Sequence, residues 1–308
     1  MLKEIEQIKI KLKELEKYKS EPEIAKKLVK EIKRGLNRIE KEARIQENRL
    51  EHEVLNKLKD KKKGHFTKRY ILQMFQNQPK DKLNKIIQRL VKTRKLEKIG
   101  RGIYSMDGVG EEPRMHISES MEKIKQVLKE QGVKFMITGP DIVQEYINLI
   151  PKRMFHLIYV ARGSGEWAHE IIEKKIGKKG LINPSEREIR NLLFHYNEDI
   201  IIIREVGETS IEYQNEGIAT IEKAIVDLYF ETTRKRIPFD NTELAEILQN
   251  ILMRTRIDYS RLLRAATRRN IYSEIILILR TLNIHIAEID MLRPIKESKA
   301  REIIKYFR

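Results

Sequence analysis

Hydrogen-bond donors recur at helical spacing in the segment between residues 80 and 92. Lys85, Gln88, Arg89 and Lys92 fall on one face of a helix, because successive residues of a helix are about 100° apart. The opposite face carries an apolar stripe, made of Leu83, Ile86, Ile87, Leu90 and Val91. Ammonium, amide and guanidinium groups donate hydrogen bonds to phosphate oxygens and base edges, so this pattern predicts contact with nucleic acid.

The elements around this basic helix predict a winged helix-turn-helix over residues 64 to 108. A shorter helix over residues 70 to 75 would pack its apolar side chains against the stripe. The run LEKIGRGIYS that follows predicts two short strands joined at Gly100 and Gly102, which permit a tight turn. Arg101 at the tip would reach a phosphate or the minor groove. The predicted DNA-contacting residues are Lys68, Lys82, Lys85, Gln88, Arg89, Lys92, Arg94 and Arg101.

The distribution of charge favours a polyanion as the partner of this segment. Residues 1 to 63 carry 20 Lys and Arg against 13 Asp and Glu, and residues 64 to 108 carry 11 against 3. The last 200 residues carry 32 against 30, although the whole chain of 308 residues has a formal charge of +17. A local basic excess is the electrostatic footprint of a nucleic-acid binder. A solvated basic face, or a winged domain that docks on protein, would account for the same residues.

The composition limits the kinds of site that the chain can form and the cellular compartment in which we expect it. The absence of cysteine excludes disulfides and thiolate metal sites, and it fits a reducing compartment. The first residues, MLKEIEQIKIKLKELEK, are too charged for a signal peptide, and no apolar run approaches the roughly 20 residues that span a bilayer. We therefore expect a cytoplasmic protein with no membrane partner.

The first 63 residues predict a helical hairpin or coiled coil. One apolar stripe consists of Leu2, Ile5, Ile8, Leu12 and Leu15, and a second of Ile24, Leu28, Ile32, Leu36, Ile39, Ala43 and Leu50. Between them Ser20-Glu21-Pro22-Glu23 has the pattern of a helix start, and the second helix would run from about Glu21 to Asp60. An intramolecular hairpin and a homodimer would both bury these stripes. We expect the dimer, since a two-fold protein matches an inverted-repeat operator.

The segment Asp107–Pro113 is rich in turn-forming residues and predicts a linker. After it, helix and strand patterns alternate: helices at 118–131, 141–149, 166–176 and 186–196, and strands at 134–138, 155–161 and 199–206. From Ala219 onward the pattern is helical. The fold class predicted is α+β and predominantly helical, with a helical hairpin or coiled coil (1–63), a winged helix-turn-helix (64–108) and an α/β domain that ends in a helical bundle (109–308).

A basic cluster lies in the last of these domains. It consists of Arg254, Arg256, Arg261, Arg264, Arg268 and Arg269. Arginine suits bidentate pairing with carboxylate or phosphate, so these residues predict contact with an acidic protein or with nucleic acid. A solvated helix face paired with Glu243 and Glu246 is the alternative.

Signals of catalysis are weak. Gly163-Ser164-Gly165 is similar to the Gly-Ser turn of nucleotidyltransferases, but the acidic pair that should follow to hold metal is missing. Glu166 and Glu170, four residues apart on either side of a histidine, could hold a divalent ion on a helix face, but ordinary helix charges explain them as well. The histidines lack the spacing of a zinc helix, and the sequence has neither a phosphate-binding loop nor a nucleophile elbow. We predict no catalytic residue, no metal and no cofactor.

The wing phrase at Leu96–Tyr104, followed by an α/β module and the phrase at Ala219–Ala224, resembles the AbiEi family of antitoxins from type IV toxin–antitoxin systems. The resemblance covers roughly residues 64 to 285. It departs at Ile221, where that family usually has proline. It implies a winged domain that binds inverted repeats in double-stranded DNA, and a second domain that counteracts a nucleotidyltransferase-type toxin, either by binding the toxin or through a shared target.

We therefore expect a DNA-binding transcriptional regulator with an antitoxin-like C-terminal domain. A divergent nucleotidyltransferase-like enzyme acting on nucleic acid is one alternative. A winged-helix interaction adaptor is another.

Overall fold

The structure is a computed structural model. It describes residues 2–17, 21–59, 64–106, 110–147, 155–195, 199–211, 213–215, 217–235, 237, 239–284, 286–287 and 299–307. The chain divides into two compact units. Unit 1 consists of Met1–Lys62 and Gln76–Lys95, and unit 2 consists of Lys63–Phe75 and Leu96–Arg308. The predicted α+β class with a predominance of helix is confirmed.

The helices and strands follow one another along both units. The helices are α1 (Leu2–Lys17), α2 (Pro22–Lys59), α3 (Lys68–Met74), α4 (Lys80–Lys92), α5 (Glu119–Glu130), α6 (Pro140–Val143), α7 (Gly165–Ile176), α8 (Glu186–His195), α9 (Ile221–Arg234), α10 (Asn241–Arg254), α11 (Tyr259–Arg268), α12 (Tyr272–Thr281) and α13 (Ala300–Ile304). The strands are β1 (His65–Thr67), β2 (Glu97–Gly100), β3 (Ile103–Ser105), β4 (Phe135–Thr138), β5 (Phe155–Ala161), β6 (Gly180–Ile182), β7 (Ile200–Val206), β8 (Tyr213–Asn215), β9 (Ile218–Ala219) and β10 (Ile286–Ala287).

Unit 1 is built on a long helix pair, as the stripes of residues 1 to 63 predict. Helix α1 packs along α2 so closely that a Cβ atom at Gly35 would lie 2.9 Å from Cδ1 of Ile8. Lys11 Nζ and Glu31 Oε2 join the two helices at 2.7 Å. The pair therefore satisfies part of the predicted seam within one chain. Helix α2 begins at Pro22, one residue after the predicted start at Glu21, and the predicted end at Asp60 lies outside the described residues.

A small sheet in unit 2 has the strand order β10-β1-β3-β2. Strand β1 pairs antiparallel with β3, placing His65 opposite Ser105. Its other edge pairs in parallel with β10, placing His65 opposite Ile286. The strands of the predicted winged segment thus share a sheet with a strand about 180 residues later in the chain.

The larger sheet has the order β6-β7-β5-β4-β9-β8. Strands β5, β6 and β7 run parallel, while β4 is antiparallel to β5. The four isoleucines that begin β7 are buried, which confirms the prediction of a strand covered on both faces. The predicted strands at 134–138 and 155–161 and the helices at 118–131, 166–176 and 186–196 are confirmed within one or two residues, and Tyr196 lies outside the described residues.

One predicted helix, at residues 141 to 149, is corrected. The chain forms only the short α6 and a single 3₁₀ turn over Gln144–Tyr146, and residues 148 and 149 lie outside the described part. Asp141 in α6 accepts a hydrogen bond from the backbone N–H of Leu157. This tertiary contact with β5 fixes a short turn where helical periodicity alone predicts a longer helix.

Within the predicted linker at Asp107–Pro113, Glu111 pairs with the chain around Thr255. Glu111 N–H donates to the Arg254 carbonyl oxygen over 2.9 Å, and Arg256 N–H donates to the Glu111 carbonyl oxygen over 2.7 Å. Residues 107 to 109 lie outside the described part.

Across the described residues, no helix has the length and apolar composition needed to cross a membrane.

Candidate nucleic-acid interface

Helix α4 separates apolar from polar side chains as its periodicity predicts. Its buried residues are Leu83, Ile86, Ile87 and Leu90. Lys85, Gln88 and Lys92 are exposed on the other side. Burial of the apolar stripe fixes the rotation of the helix, so the ammonium and amide groups of the opposite face are presented to solvent. These three side chains form the α4 donor face.

Arg89 differs from its neighbours on α4 because α2 supplies carboxylates to it. Its Nη2 atom lies 2.6 Å from Glu47 Oε2, and its Nη1 atom lies 3.7 Å from Glu51 Oε2. The hydrogen bond from Arg89 and the nearby charges of Lys82 and Lys85 lower the pKa of the Glu47 carboxyl. Arg89 is thus held by an intramolecular ion pair, which a phosphate would have to displace.

The other predicted contacts of unit 1 lie at the two ends of α4. Lys82 is half-buried in the first turn, whereas Arg94 is exposed beyond the last turn with a φ of 54°. Lys95, which follows it, pairs with Glu51 at 2.8 Å.

In unit 2, the turn between β2 and β3 packs against the start of α11. A Cβ atom at Gly100 would lie 2.5 Å from Ser260 Oγ and 2.8 Å from Asp258 Oδ1, closer than side-chain atoms approach one another. The Ser260 hydroxyl donates to the carbonyl oxygen of Arg101 over 3.2 Å. Glycine is therefore required at position 100 by close packing, and the turn is anchored at its tip.

The turn between β2 and β3 exposes Arg101 and places glycine at its bend, as the sequence predicts. Arg101 is exposed, and Gly102 adopts a φ of 77°, which favours glycine. The carbonyl oxygen of Gly102 accepts a hydrogen bond from the backbone N–H of Lys68 over 2.7 Å. This bond ties the start of α3 to the turn, and it places Lys68 and Arg101 in the same region of unit 2.

The anchoring also brings the turn next to the arginine cluster, a proximity that sequence reasoning did not foresee. Asp258 caps α11 by accepting hydrogen bonds from the backbone N–H groups of Ser260 and Arg261. Arg261, Arg264 and Arg268 recur at steps of three and four along this helix and are exposed. These three side chains form the α11 arginine face, which begins beside the turn that carries Arg101.

The remaining arginines of the cluster are placed differently. Arg254 and Arg256 are exposed beside the chain entering from Glu112, whose carboxylate lies 2.6 Å from Arg256 Nη1. Arg269 is mostly buried: it pairs with Asp227 at 3.1 Å, and its guanidinium lies over the rings of Tyr159 and Phe230. Its contacts are those of a residue that holds the interior of unit 2 together.

A buried polar network, which the sequence reading missed, surrounds Arg269. The Tyr159 hydroxyl donates to Glu231 Oε1 over 3.0 Å, and Arg204 Nε donates to Glu231 Oε2 over 3.0 Å. Burial raises the pKa of the Tyr159 phenol well above its usual value, which keeps its proton available to Glu231. A signal existed in the sequence: Arg204 directly follows the four isoleucines of a fully buried strand, where a charge needs a partner.

The Gly163-Ser164-Gly165 turn has an internal acceptor. The backbone N–H groups of Gly163 and Gly165 both donate to Glu205 Oε1 over 2.9 Å. A carboxylate of the protein thus occupies the start of α7, where a phosphate would bind in a nucleotidyltransferase. Glu170 pairs with Lys174 in the same helix, and in the described ranges no group of three metal-ligating side chains comes together.

Residues 82–285 match the sequence profile of a protein family described as a family of unknown function, DUF6577. No curated protein matches the chain.

Proposed function

The chain belongs to the DUF6577 family, which has no assigned function, and we propose that it is a DNA-binding transcriptional regulator whose second unit acts as an antitoxin. The observation that carries this proposal is the α4 donor face. Lys85, Gln88 and Lys92 are exposed on a helix whose other side is buried. Two ammonium groups and an amide in this arrangement suit phosphates and base edges in a major groove.

The order of elements supports a winged helix-turn-helix as the framework of this activity. Strand β1, helices α3 and α4, and the hairpin of β2 and β3 follow one another as that fold requires. Arg101, at the tip of the hairpin, is a further proposed phosphate contact. In this proposed winged helix-turn-helix, α4 is the recognition helix that enters the major groove.

We further propose that the protein binds an inverted repeat as a homodimer. Helices α1 and α2 leave apolar side chains exposed even though they pack on each other, among them Val29 at 38% and Leu36 at 46%. These two residues are seven apart and lie on one stripe of α2, as in a coiled coil. A second copy of the same helix pair would cover them.

The antitoxin part of the proposal rests on the α11 arginine face together with the resemblance to AbiEi antitoxins. Guanidinium groups at helical spacing suit an acidic protein surface or a phosphate backbone. An acidic toxin, or the nucleic acid that the toxin acts on, would be the partner. An enzymatic role has less support, because Glu205 occupies the amides of the Gly163–Gly165 turn.

Salt-dependent binding to the promoter DNA of its own gene tests the regulator. The affinity of the intact protein should fall steeply with salt, and Lys85→Ala and Lys92→Ala should each reduce the slope of log affinity against log salt by about 1. Lys30→Ala with Lys33→Ala, exposed on α2, is the matched control. Unchanged binding in the Lys85 and Lys92 variants would reject α4 as the reading helix.

Co-expression with the nucleotidyltransferase-type toxin that the proposal expects to be encoded beside this gene, with rescue of cell growth as the readout, tests the antitoxin part. Arg261→Glu, Arg264→Glu and Arg268→Glu together should abolish rescue in the full-length protein. Glu166→Ala with Glu170→Ala should leave rescue intact, because no catalytic or metal role is assigned to these carboxylates. Loss of rescue in the carboxylate variant, with metal-dependent nucleotide transfer by the natural protein, would favour the enzyme instead.

A further inference from the structure

A polar cavity opens at the carboxyl ends of the three parallel strands of the larger sheet. Its volume is about 710 Å³, within the range of small-molecule sites. Arg162 follows β5, Asn183 follows β6, and Glu205 lies at the end of β7, and all three line the cavity. In open α/β sheets, ligands bind in the crevice outside the carboxyl ends of the strands, so this is the expected place for a ligand.

The buried wall of the cavity contains a guanidinium whose hydrogen bonds are incomplete. Arg204 is only 6% exposed, its Nε atom donates to Glu231, and its Nη1 atom donates to the Pro184 carbonyl oxygen over 2.7 Å. Its Nη2 atom is buried and has no hydrogen-bond partner among the described residues. A buried charged donor without an acceptor is costly, and such groups in native proteins are normally satisfied.

A second arginine of the same wall has a similar donor. Arg234 pairs with Glu274 through Nη2, but its Nη1 atom is buried without a partner in the described part of the chain. Arg162 and Lys235 complete the set as exposed cations at the mouth. The cavity therefore combines two incompletely satisfied guanidinium groups with two accessible positive charges.

The carboxylates that line the cavity are already used by the protein. Glu205 accepts from the start of α7 and from Asn183, Glu231 accepts from Tyr159 and Arg204, and Glu186 pairs with Arg190. They do not supply the acceptors that Arg204 Nη2 and Arg234 Nη1 lack. With these carboxylates occupied, the exposed cations that line the cavity, Arg162 and Lys235, favour an anion as its ligand.

We propose that this cavity binds a small molecule through a phosphate group, a nucleoside monophosphate being the expected size. A phosphate ester is favoured over a carboxylate because its two negative charges and three terminal oxygens match several cationic donors at once. The Phe230 ring on the cavity wall provides an apolar surface for the rest of the ligand. The site gives the proposed regulator a place for an effector, and its lining residues are distinct from those of the α11 arginine face.

Calorimetric titration of the full-length protein tests the site with three probes: adenosine 5′-monophosphate, inorganic phosphate and adenosine. The monophosphate should bind, phosphate should bind more weakly and compete with it, and adenosine should not bind. Arg162→Ala with Lys235→Ala should weaken monophosphate binding at least tenfold. Both side chains are exposed, so this variant retains the buried network. Arg204→Lys, which keeps the charge but loses the planar fork, should weaken it as well.

Lys175→Ala with Lys305→Ala removes the same charge from exposed positions outside the cavity and is the matched control. Its monophosphate affinity should equal that of the natural protein. An equal loss in this control would show non-specific attraction and overturn the proposal, as would the absence of binding by both phosphate-bearing probes at millimolar concentration. Lys85→Ala should leave monophosphate binding unchanged, so the outcome is independent of whether α4 reads DNA.

Discussion

The hydroxyl of Ser260 donates a hydrogen bond to the carbonyl oxygen of Arg101 over 3.2 Å, across 159 residues of sequence. This bond anchors the tip of the β2–β3 turn to the start of α11. Because of this bond, Arg101 and the α11 arginine face belong to one basic region of unit 2. A polyanion that contacts the turn is therefore positioned to reach Arg261.

Gly100→Ala should destabilise unit 2 by about 1–3 kcal/mol, as expected when an added methyl group is forced into a packed site. The new Cβ atom would meet Ser260 Oγ at 2.5 Å and Asp258 Oδ1 at 2.8 Å. Urea unfolding followed by the fluorescence of Trp167, the only tryptophan, reports on unit 2. Ser260→Ala in the same chain should restore part of the loss, because it removes the nearer of the two atoms.

Gly207→Ala is the control for this substitution. Among the described residues beyond its chain neighbours, no heavy atom lies within 4 Å of a Cβ built at Gly207, and its φ of −61° suits any residue. The variant should unfold at the same urea concentration as the natural protein. Equal destabilisation by the two alanines would contradict the packing of the turn on α11.

Glu47→Gln should strengthen DNA binding a few-fold. The substitution removes the carboxylate that holds Arg89 at 2.6 Å and returns a guanidinium to the α4 donor face. Electrophoretic mobility shifts at constant salt measure the effect. Glu53→Gln removes the same charge from the exposed pair with Lys57 and should change affinity much less. Weaker binding by Glu47→Gln would instead show that Glu47 orients Arg89 for DNA.

Sequence periodicity predicted helices and strands where burial is strong and continuous. Strand β7 was visible because four isoleucines in succession fit a strand buried on both faces, and α4 because its apolar stripe repeats at steps of three and four. Helix α5 begins after Ser118, as predicted, because the Ser118 side chain accepts a hydrogen bond from the Met121 N–H. In these elements local preference and tertiary structure agree.

The pairing of distant segments could not be predicted in the same way. Strand β10 is two residues long and has no alternating pattern, so nothing in Ile286–Ala287 indicates that it joins β1. Close packing at Gly100 likewise depends on α11, and the sequence shows only a turn. The polar cavity was missed for a related reason: Arg162, Asn183 and Arg204 converge only once three parallel strands end at one edge.

Val29→Glu with Leu36→Glu should convert the proposed dimer to a monomer and weaken operator binding through the loss of bivalency. Both side chains are already exposed, so the contact of α1 with α2 at Gly35 is retained. Sedimentation velocity at micromolar concentration measures the state of association. Asn37→Glu with Asn48→Glu adds the same charge at exposed polar positions and should leave the dimer intact. If the natural protein is a monomer, the dimer is rejected and the apolar stripes serve only the packing of α1 on α2.

A pH-dependent contribution to stability should come from His156, whose Nδ1 atom lies 2.7 Å from Asp141 Oδ1 in the interior of unit 2. Burial alone would lower the pKa of this imidazole and Lys178 acts in the same direction, but the hydrogen bond and charge of Asp141, with the charge of Asp199, raise it above its usual value. A raised pKa in the folded state means that folding favours the protonated form. The contribution is therefore full below the unfolded pKa of about 6.5 and is lost as pH rises through the higher folded value.

The free energy of unfolding of unit 2, followed by Trp167 fluorescence in urea, should accordingly fall between mildly acidic and mildly alkaline pH. Asp141→Asn should flatten this part of the profile, because it removes the group that raises the pKa of His156. His52→Gln, which removes an exposed imidazole from α2, should keep the slope of the natural protein. If the Asp141→Asn profile ran parallel to that of the natural protein over this range, the coupling of His156 to Asp141 would be refuted.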